Sequence, residues 1–294
     1  MGQAKERKKN DPYYGKPVHR GLVISSPARV NGADYLHMMS TGLHPQELRF
    51  ALMFWDKLVW PDGAISFEGG PDELFLEDCG IIERPRYSID GASGSGFLAG
   101  QIMAYQDMEA REPGAWALAQ GENSLFVEGP RLVVGKGAQI ELTRAVPIPT
   151  VDTPLQEILE FKQRRKDELL SFRLHIESLA EKVSASDEPS AELEKQVSEV
   201  EKACSDLVAV GKDFQFPMHV STFKTSLNLK PSLVGEVVGA WQGGATYGLE
   251  IATLAAGFAG LRSAVRIETD LGLRSIKAPV SPYKYAYRIS DELI

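Results

Sequence analysis

The chain has 294 residues and a mass of 32.3 kDa, a length at which a single hydrophobic core usually stops growing and two domains are expected. Its 32 basic residues are outnumbered by 40 acidic ones, and the resulting formal net charge of −8 excludes the basic surplus typical of a whole-chain nucleic-acid binder. The hydrophobic content of 43% excludes a disordered chain. Two cysteines without a CxxC pair favour a reducing compartment, and we expect a cytoplasmic protein.

The N-terminal part of the chain predicts a basic flexible tail followed by a mixed α+β domain. Residues 1–20 lack the apolar core of a signal peptide, and we interpret residues 21–145 as the domain. Its predicted strands are Gly21–Ser25, Leu58–Trp60, Ile81–Asp90, Ser124–Glu128, Arg131–Val134 and Gln139–Arg144. Its predicted helices begin at Pro45 and at about Phe97, the second ending near Glu112, and Trp55 and Trp60 are assigned to the core.

An acidic stretch lies between Pro61 and Pro130, where thirteen carboxylates accompany only three arginines. Such a stretch forms either a solvated surface or a docking face for a basic partner. Both interpretations are kept, and the second one makes this stretch a candidate interaction surface.

A glycine-rich loop precedes the helix expected at Phe97. Strand, glycine loop and helix in that order present backbone N–H groups to a phosphate, and Gly91, Gly94 and Gly96 are the candidate residues. The proline in the preceding strand and the missing Lys-Ser/Thr pair favour a plain flexible connection instead. A nucleotide-binding enzyme using residues 91–96 therefore remains an alternative function.

A helical hairpin arm is predicted for residues 153–212, after a proline-rich boundary. Thr153 and Gln156 form a T-x-x-Q capping box at its start, and apolar residues then recur at three- and four-residue steps as far as Val183. After a turn at Ser184–Ser190, a second helix to about Val210 carries its own seam, in which Cys204 is a small buried residue. The candidate interaction residues are Ile158, Arg165, Leu169, Phe172, Ile176, Val197 and Val200.

Two residues of this arm have further expectations attached. Arg165 occupies a seam position, where its stem packs or its guanidinium pairs with an acid on an opposing helix. His175 lies off the seam and is expected to be solvated.

Small residues recur every four positions in the segment 231–261. On a helix this spacing produces one narrow face that allows two backbones to approach closely, in a buried hairpin or in a membrane. The uncharged runs are shorter than a membrane span, so a soluble core is favoured and a membrane-acting effector is the alternative. The face comprises Gly235, Gly239, Gly243, Gly244, Gly248, Ala252, Ala256 and Gly260.

The C-terminal region, residues 213–294, is expected to combine strands with this glycine-rich helical hairpin. The last strand is predicted at Pro282–Ile289, because Tyr283, Tyr285 and Tyr287 alternate along it. Packing explains three tyrosines on one sheet face, although they could also stack a ligand.

Catalytic and metal-binding motifs were sought throughout the sequence. The five histidines do not occur at metal-ligand spacing, and neither G-x-S-x-G nor H-E-x-x-H is present. We therefore predict no metal and no cofactor, and we assign no catalytic residue.

The sequence nevertheless resembles a known family in three places. They are Glu157–Arg173 (EILEFKQRRKDELLSFR), the end of the apolar helix at Phe54–Leu58 and the terminal Tyr285–Arg288. These stretches resemble a poorly characterised bacterial family, known mainly as a domain of unknown function. The resemblance implies a bacterial cytosolic protein whose gene lies beside accessory or phage-defence genes, and it transfers no site residues.

The expected function is that of a non-enzymatic interaction or assembly protein of α+β fold. In this hypothesis the helical arm and the acidic surface bind a protein partner or a second copy of the chain. A nucleic-acid partner is not indicated, and a membrane is a partner only if the segment 231–261 inserts conditionally.

Overall fold

The computed structural model describes residues 19–31, 34–63, 65–89, 93–121, 123–127, 142–211 and 281–294. Several sequence predictions lie outside these residues. They are the tail up to residue 18, Gly91, the strands at 131–134 and 139–141, and the whole of residues 212–280 with the small-residue face of 231–261.

The first half of the fold is built on a four-stranded parallel sheet in the order β5-β4-β1-β6. Short runs of Val, Leu and Ile make its strands, which are buried where helices cover the sheet. The strands are β1 (Gly21–Val23), β4 (Lys57–Val59), β5 (Ile82–Glu83) and β6 (Trp116–Leu118). The connecting helices are α1 (Pro45–Phe54), α2 (Pro71–Asp78) and α3 (Gly94–Arg111).

The fold has a second sheet of three strands, two of which follow strands of the first sheet along the chain. It has the order β3-β2-β7, with β2 (Ala28–Asn31), β3 (Tyr35–Met38) and β7 (Leu125–Val127). Strand β2 runs antiparallel to β3 and parallel to β7. Strands β1 and β6 pair in the first sheet, and the strands that follow them, β2 and β7, pair in the second. One face of this second sheet packs on α3.

The helical half packs onto the first sheet through α1. Its helices are α4 (Leu155–Arg164), α5 (Lys166–Ala185), α6 (Pro189–Gly211) and α7 (Lys284–Glu292). Helix α5 contacts α6, and α7 contacts both. The buried faces of all four helices belong to one hydrophobic core together with α1, so the chain is α+β as expected. Strong amphipathicity in α4 and α6 is what made these helices recognisable in the sequence.

The C-terminal strand prediction is wrong, because Lys284–Glu292 is the helix α7. Tyr285 is fully buried and its hydroxyl donates to the carbonyl oxygen of Met53 (2.9 Å), whereas Tyr287 is half-buried. Alternation of tyrosines suggested a period of two, but the buried residues Tyr285, Ala286 and Ile289 follow helical spacing. The core contacts of α7 decide its conformation.

The long helix expected to begin at Thr153 is also corrected. It is interrupted at Arg165, whose backbone leaves the helical region between α4 and α5. The capping box is absent: Pro154 is the N-cap without a side-chain hydrogen bond, and Gln156 bonds Glu160 instead. Residues 142–144, assigned to a strand, form a helical turn.

His175 is half-buried, whereas the sequence predicted a solvated side chain. Its Nε2 lies 2.7 Å from the hydroxyl oxygen of Tyr283, and the two rings meet edge to face. Burial, with a smaller contribution from Lys182, lowers the pKa of His175. The return of α7 along α5 brings this tyrosine into contact, which helical periodicity within α5 alone does not predict.

Candidate functional site

The carboxyl edge of the parallel sheet carries a buried ion pair. Asp62 follows β4 and Arg84 follows β5, so the two residues lie at the same edge, with Arg84 Nη2 2.7 Å from Asp62 Oδ1. The guanidinium also lies 4.3 Å from the centre of the Trp60 ring and donates to the carbonyl oxygen of Phe67. Arg84 therefore fixes the loop that leads from β4 into α2.

Helix α2 is held against this edge by its acidic residues. The Glu73 carboxylate accepts from the backbone N–H of Leu43 (2.9 Å), and Asp72 and Glu77 lie within 3.7 and 3.6 Å of arginine side chains. Leu76 is its fully buried apolar residue. A helix of eight residues is marginal by itself in water, so these contacts are what keep α2 in place.

The opposite side of α2 presents apolar side chains to solvent. Leu74 and Phe75 are 51% and 38% exposed, and the exposed Asp78 lies one helical turn after Leu74. Glu68, in the loop before α2, is exposed as well. Within the described part of the chain, no cation lies within ion-pair distance of Asp78 or Glu68. We call Leu74, Phe75 and Asp78 the α2 outer face, a small apolar patch bordered by a carboxylate.

The amino edge of the same sheet carries a second charged group of residues. Asp56, just before β4, accepts from the Arg173 guanidinium at 2.9 and 3.1 Å and from the backbone N–H of Arg20 at 2.9 Å. Lys162 lies 3.4 Å from the same carboxylate and donates to the Trp55 carbonyl oxygen. We call Arg20, Asp56, Lys162, Arg173 and Glu177 the amino-edge cluster; in it, Glu177 pairs with Arg20.

The proton affinities in the amino-edge cluster follow from its charges. Burial by itself raises the pKa of Asp56, but Arg173 and then Lys162 outweigh this effect and lower the pKa to about 2. Burial lowers the pKa of Lys162 to about 8. The Asp56 carboxylate opposes this shift, and the Arg173 guanidinium adds to it because it repels the ammonium. A cavity of about 10 Å³ beside the cluster, lined by Arg20, Phe54 and Arg173 among others, has room for a single water molecule.

The strand order has a topological switch point between β1 and β6, where ligands bind in many open α/β sheets. The buried residues Ser25 and Ser124 meet there, with hydroxyl oxygens 3.3 Å apart. Nearby, the Arg144 guanidinium bonds both carboxylate oxygens of Glu47, one of them at 3.0 Å. Buried hydroxyls and a charged fork are groups that can orient a polar ligand.

The candidate glycine loop meets the second sheet. Ser93 caps α3 by accepting from the N–H of Gly96, and a methyl group on Gly94 would lie 2.4 Å from the carbonyl oxygen of Tyr35. Close backbone approach of β3 therefore accounts for the glycine at 94. The phosphate-binding role of this loop stays a prediction, since Gly91 lies outside the described residues.

The predicted interaction residues of the arm are turned toward the chain's own core. The residues Ile158, Leu169, Phe172, Ile176 and Val200 are buried and Val197 is partly buried. Arg165 pairs with Glu292 of α7 and lies 3.7 Å from Glu168. A pair between its guanidinium and an acid on another helix is one of the two environments expected for it. Cys204 is buried, and burial raises the pKa of its thiol to about 12, which makes it a poor nucleophile.

Sequence reasoning found the acidic stretch but missed the α2 outer face within it. The signal was adjacent apolar residues in PDELFLED, which cannot both face one core from an eight-residue helix. The switch point was missed as well, because parallel pairing of three-residue strands leaves no local signature.

The described residues contain neither a metal-ligand cluster nor a membrane-spanning helix. Among them, no group of three or more His, Cys, Asp and Glu side chains could hold a metal ion. None of the helices assigned there is both long and apolar enough to cross a membrane. The membrane hypothesis concerns residues 231–261, beyond these residues, and stays a prediction.

Comparison with known proteins gives one match. The model of a protein family described as "Family of unknown function (DUF6236)" matches residues 79–294, well over half of the chain. No curated protein and no solved structure matches. The matched region begins at the end of α2 and contains all four helices of the helical half.

Proposed function

We propose that this chain, which belongs to the DUF6236 family of unknown function, is a non-enzymatic interaction protein that docks a basic protein partner on the α2 outer face. The observation that carries the proposal is the exposure of Leu74 and Phe75, neighbours on a helix whose other side is anchored by the buried Glu73 carboxylate and by the Arg84–Glu77 ion pair. The proposal includes a partner that belongs to a defence system, and the identity of the partner tests this part of it.

The chemistry of the α2 outer face suits a protein partner. Exposed aromatic and aliphatic side chains are the usual anchors of an interface, and charges around them select the partner and speed its approach. Here Asp78 borders the patch, so a complementary surface has an apolar pocket with lysine or arginine at its rim. Little backbone ordering accompanies binding, because the inner side of α2 is already anchored.

A different partner is favoured over a second copy of the chain. Two α2 outer faces brought together would place their carboxylates against each other, which is unfavourable. The described side chains of the arm offer no alternative apolar contact, because no large hydrophobic residue is exposed among those of residues 153–189 and 191–206. Self-association through the arm would need contacts between its polar surfaces.

Site-specific photocrosslinking in cells that naturally express the chain tests this proposal. A photoreactive phenylalanine analogue replaces Phe75 in one strain and Met103 in another. Met103 is the matched control, since it is 41% exposed but lies on α3. We expect a specific crosslinked protein of basic surface at position 75 that is absent at position 103.

The crosslinked partner is then produced and its affinity measured directly. The Leu74→Gln and Asp78→Asn variants should weaken binding at least fivefold, and Met103→Gln should leave it unchanged. Identical crosslinks at both positions, or an affinity that does not respond to Leu74→Gln, would overturn the proposal.

A second candidate function is nucleotide binding at the switch point, supported by the strand order and the buried Ser25–Ser124 pair. A panel of nucleotides in a thermal-unfolding assay tests it. A nucleotide at 100 times its Kd should add about 2.7 kcal/mol to the free energy of unfolding, so a true ligand gives a clear shift in Tm. A Ser124→Ala variant that shows the same shift would place the nucleotide elsewhere.

A further inference from the structure

The solvent side of the second sheet has an unusual set of side chains. In β2 the buried Ala28 and Val30 alternate with the exposed Arg29 and Asn31, which defines the outward direction. The strand register then places His37 and Phe126 on either side of Arg29, and Tyr35 beside Asn31. We call Arg29, Asn31, Tyr35, His37 and Phe126 the outer sheet face.

Core formation does not account for the outer sheet face. The opposite face of the same strands packs on α3 with Val30, Leu36 and Leu125. Tyr35, by contrast, is 54% exposed, the largest exposure of any large hydrophobic residue described. The Arg29 guanidinium lies 5.5 Å from the centre of the Phe126 ring, so a cation and an aromatic ring are already aligned on the surface.

The charge of this face differs from the rest of the chain. The overall charge is −8, yet the five residues of the face include an arginine and a histidine and no carboxylate. Aromatic rings with arginine on an open sheet are the groups that stack unpaired bases and contact the phosphates between them.

We propose that the outer sheet face binds single-stranded nucleic acid, with a base stacked on Tyr35 and a phosphate bound by Arg29, which the Phe126 ring holds in position. Tyr35 and Arg29 lie on the paired strands β3 and β2 and are offset by two residues, because Tyr35 pairs with Asn31. With about 4.8 Å between strands and about 6.7 Å along two residues, their Cα atoms are roughly 8 Å apart, so one nucleotide can contact both side chains. The short sheet has room for two or three nucleotides. This site lies on different elements from the α2 outer face and does not depend on the partner proposed there.

Fluorescence anisotropy with the full chain tests the proposal, using labelled 12-nucleotide single-stranded RNA and DNA of one mixed sequence at 50 mM salt. The two oligonucleotides distinguish the kinds of nucleic acid. We expect Tyr35→Ala to weaken binding about 5- to 150-fold, because each stacked base contributes about 1–3 kcal/mol. Tyr35→Phe should retain the affinity, because it keeps the ring. Arg29→Ala should weaken binding and reduce the salt slope by about one.

Matched controls remove an exposed aromatic and an exposed arginine elsewhere. Phe75→Ala and Arg86→Ala should leave oligonucleotide binding unchanged, Arg86 having 80% of its side chain exposed. A loss of partner binding in Phe75→Ala with intact oligonucleotide binding separates this proposal from the preceding one. Thermal unfolding of Tyr35→Ala checks that the sheet is folded.

Several outcomes would overturn the proposal. Absence of binding to either single strand is one, and equal binding of polyglutamate or duplex DNA is another, since it would show attraction of any polyanion. A third is dimerisation that is lost in Tyr35→Ala in the absence of oligonucleotide binding, because a second copy would then cover the face.

Discussion

The two edges of the parallel sheet both hold buried charges but use them differently. At the amino edge, Asp56 and the cations around it are covered by α4 and α5, and the cluster joins the sheet to the helical half. At the carboxyl edge, Arg84 binds Asp62 and Glu77 and thereby holds α2, whose other side is open to solvent. At the amino edge the ion pairs are therefore covered by helices, whereas at the carboxyl edge similar ion pairs hold a helix whose outer side is exposed.

The buried ion pairs of this molecule join distant parts of the chain and add little to its net stability. Such pairs add little net stability compared with apolar residues of the same size, but removing one partner is costly because the other charge stays buried. In the amino-edge cluster the bonded groups come from distant parts of the chain, Arg173 donating to the carbonyl oxygen of Phe54. The α2 outer face, and not the covered amino-edge cluster, is therefore the candidate binding surface.

The largest expected effect is that of Asp56→Asn. This change leaves Arg173 and Lys162 buried beside a neutral amide, and the free energy of unfolding should fall by about 3–5 kcal/mol. Urea denaturation monitored by tryptophan fluorescence measures the loss. Asp78→Asn, an exposed acid of α2, is the control and should change stability by less than about 0.5 kcal/mol. Equal effects of the two changes would contradict the contrast between the edges.

A smaller and local effect is expected for Glu73→Ala at the carboxyl edge. The backbone N–H of Leu43 loses its acceptor, which costs about 1–3 kcal/mol. Hydrogen exchange should accelerate at residues 71–78 and stay unchanged in α5. Uniform acceleration along the chain would mean that α2 is not an independently anchored element.

The third prediction concerns pH and Lys162. An amine with a pKa of about 8 in the folded state and a higher one in the unfolded state binds fewer protons when folded, so stability increases with pH between those values. From pH 7.5 to 9.5, the free energy of unfolding of the wild type should rise relative to Lys162→Met by on the order of 1–2 kcal/mol.

The comparison with Lys162→Met isolates this contribution. Burial raises the pKa of Cys204 to about 12, so above the ordinary thiol pKa its effect on stability has the opposite sign. That effect is common to both proteins and cancels in the difference. Parallel pH profiles for the wild type and the variant would show that the Lys162 amine is not desolvated.

The smallest effect on stability is expected for Leu74→Gln and Phe75→Gln. Both side chains are partly exposed, so each change should alter the free energy of unfolding by less than about 1 kcal/mol. Thermal unfolding measures this change. Greater destabilisation would mean that these residues are part of the fold, and any loss of partner binding could then not be assigned to the α2 outer face.

Several elements could be predicted from the sequence with nearly correct bounds. The helices at Pro45–Phe54, Gly94–Arg111 and Pro189–Gly211 have local periodicity or helix-favouring ends, and each is present. The tyrosines of α7 failed as a guide, because helix and strand patterns are ambiguous over eight residues. The break at Arg165 was also invisible, since the apolar spacing continues across it.

The candidate sites were predictable only in part. Acidic excess and the seam residues are properties of the sequence, and both were recognised. The pairing of Arg29 with His37 and Phe126 depends on strands far apart in the chain, and the exposure of Leu74 depends on which side of α2 meets the sheet. No local pattern contains this information.

The sequence by itself determined the α+β class and the acidic character of residues 61–130, because composition and periodicity act over short distances, and it predicted the helical hairpin with its seams. Only the tertiary structure decided that the seams are covered by α1 and α7 within one core. It also decided that charges on opposite edges of one sheet have different surroundings. Burial sets the strength of each ion pair and the exposure of each side chain, and burial is a property of the whole fold.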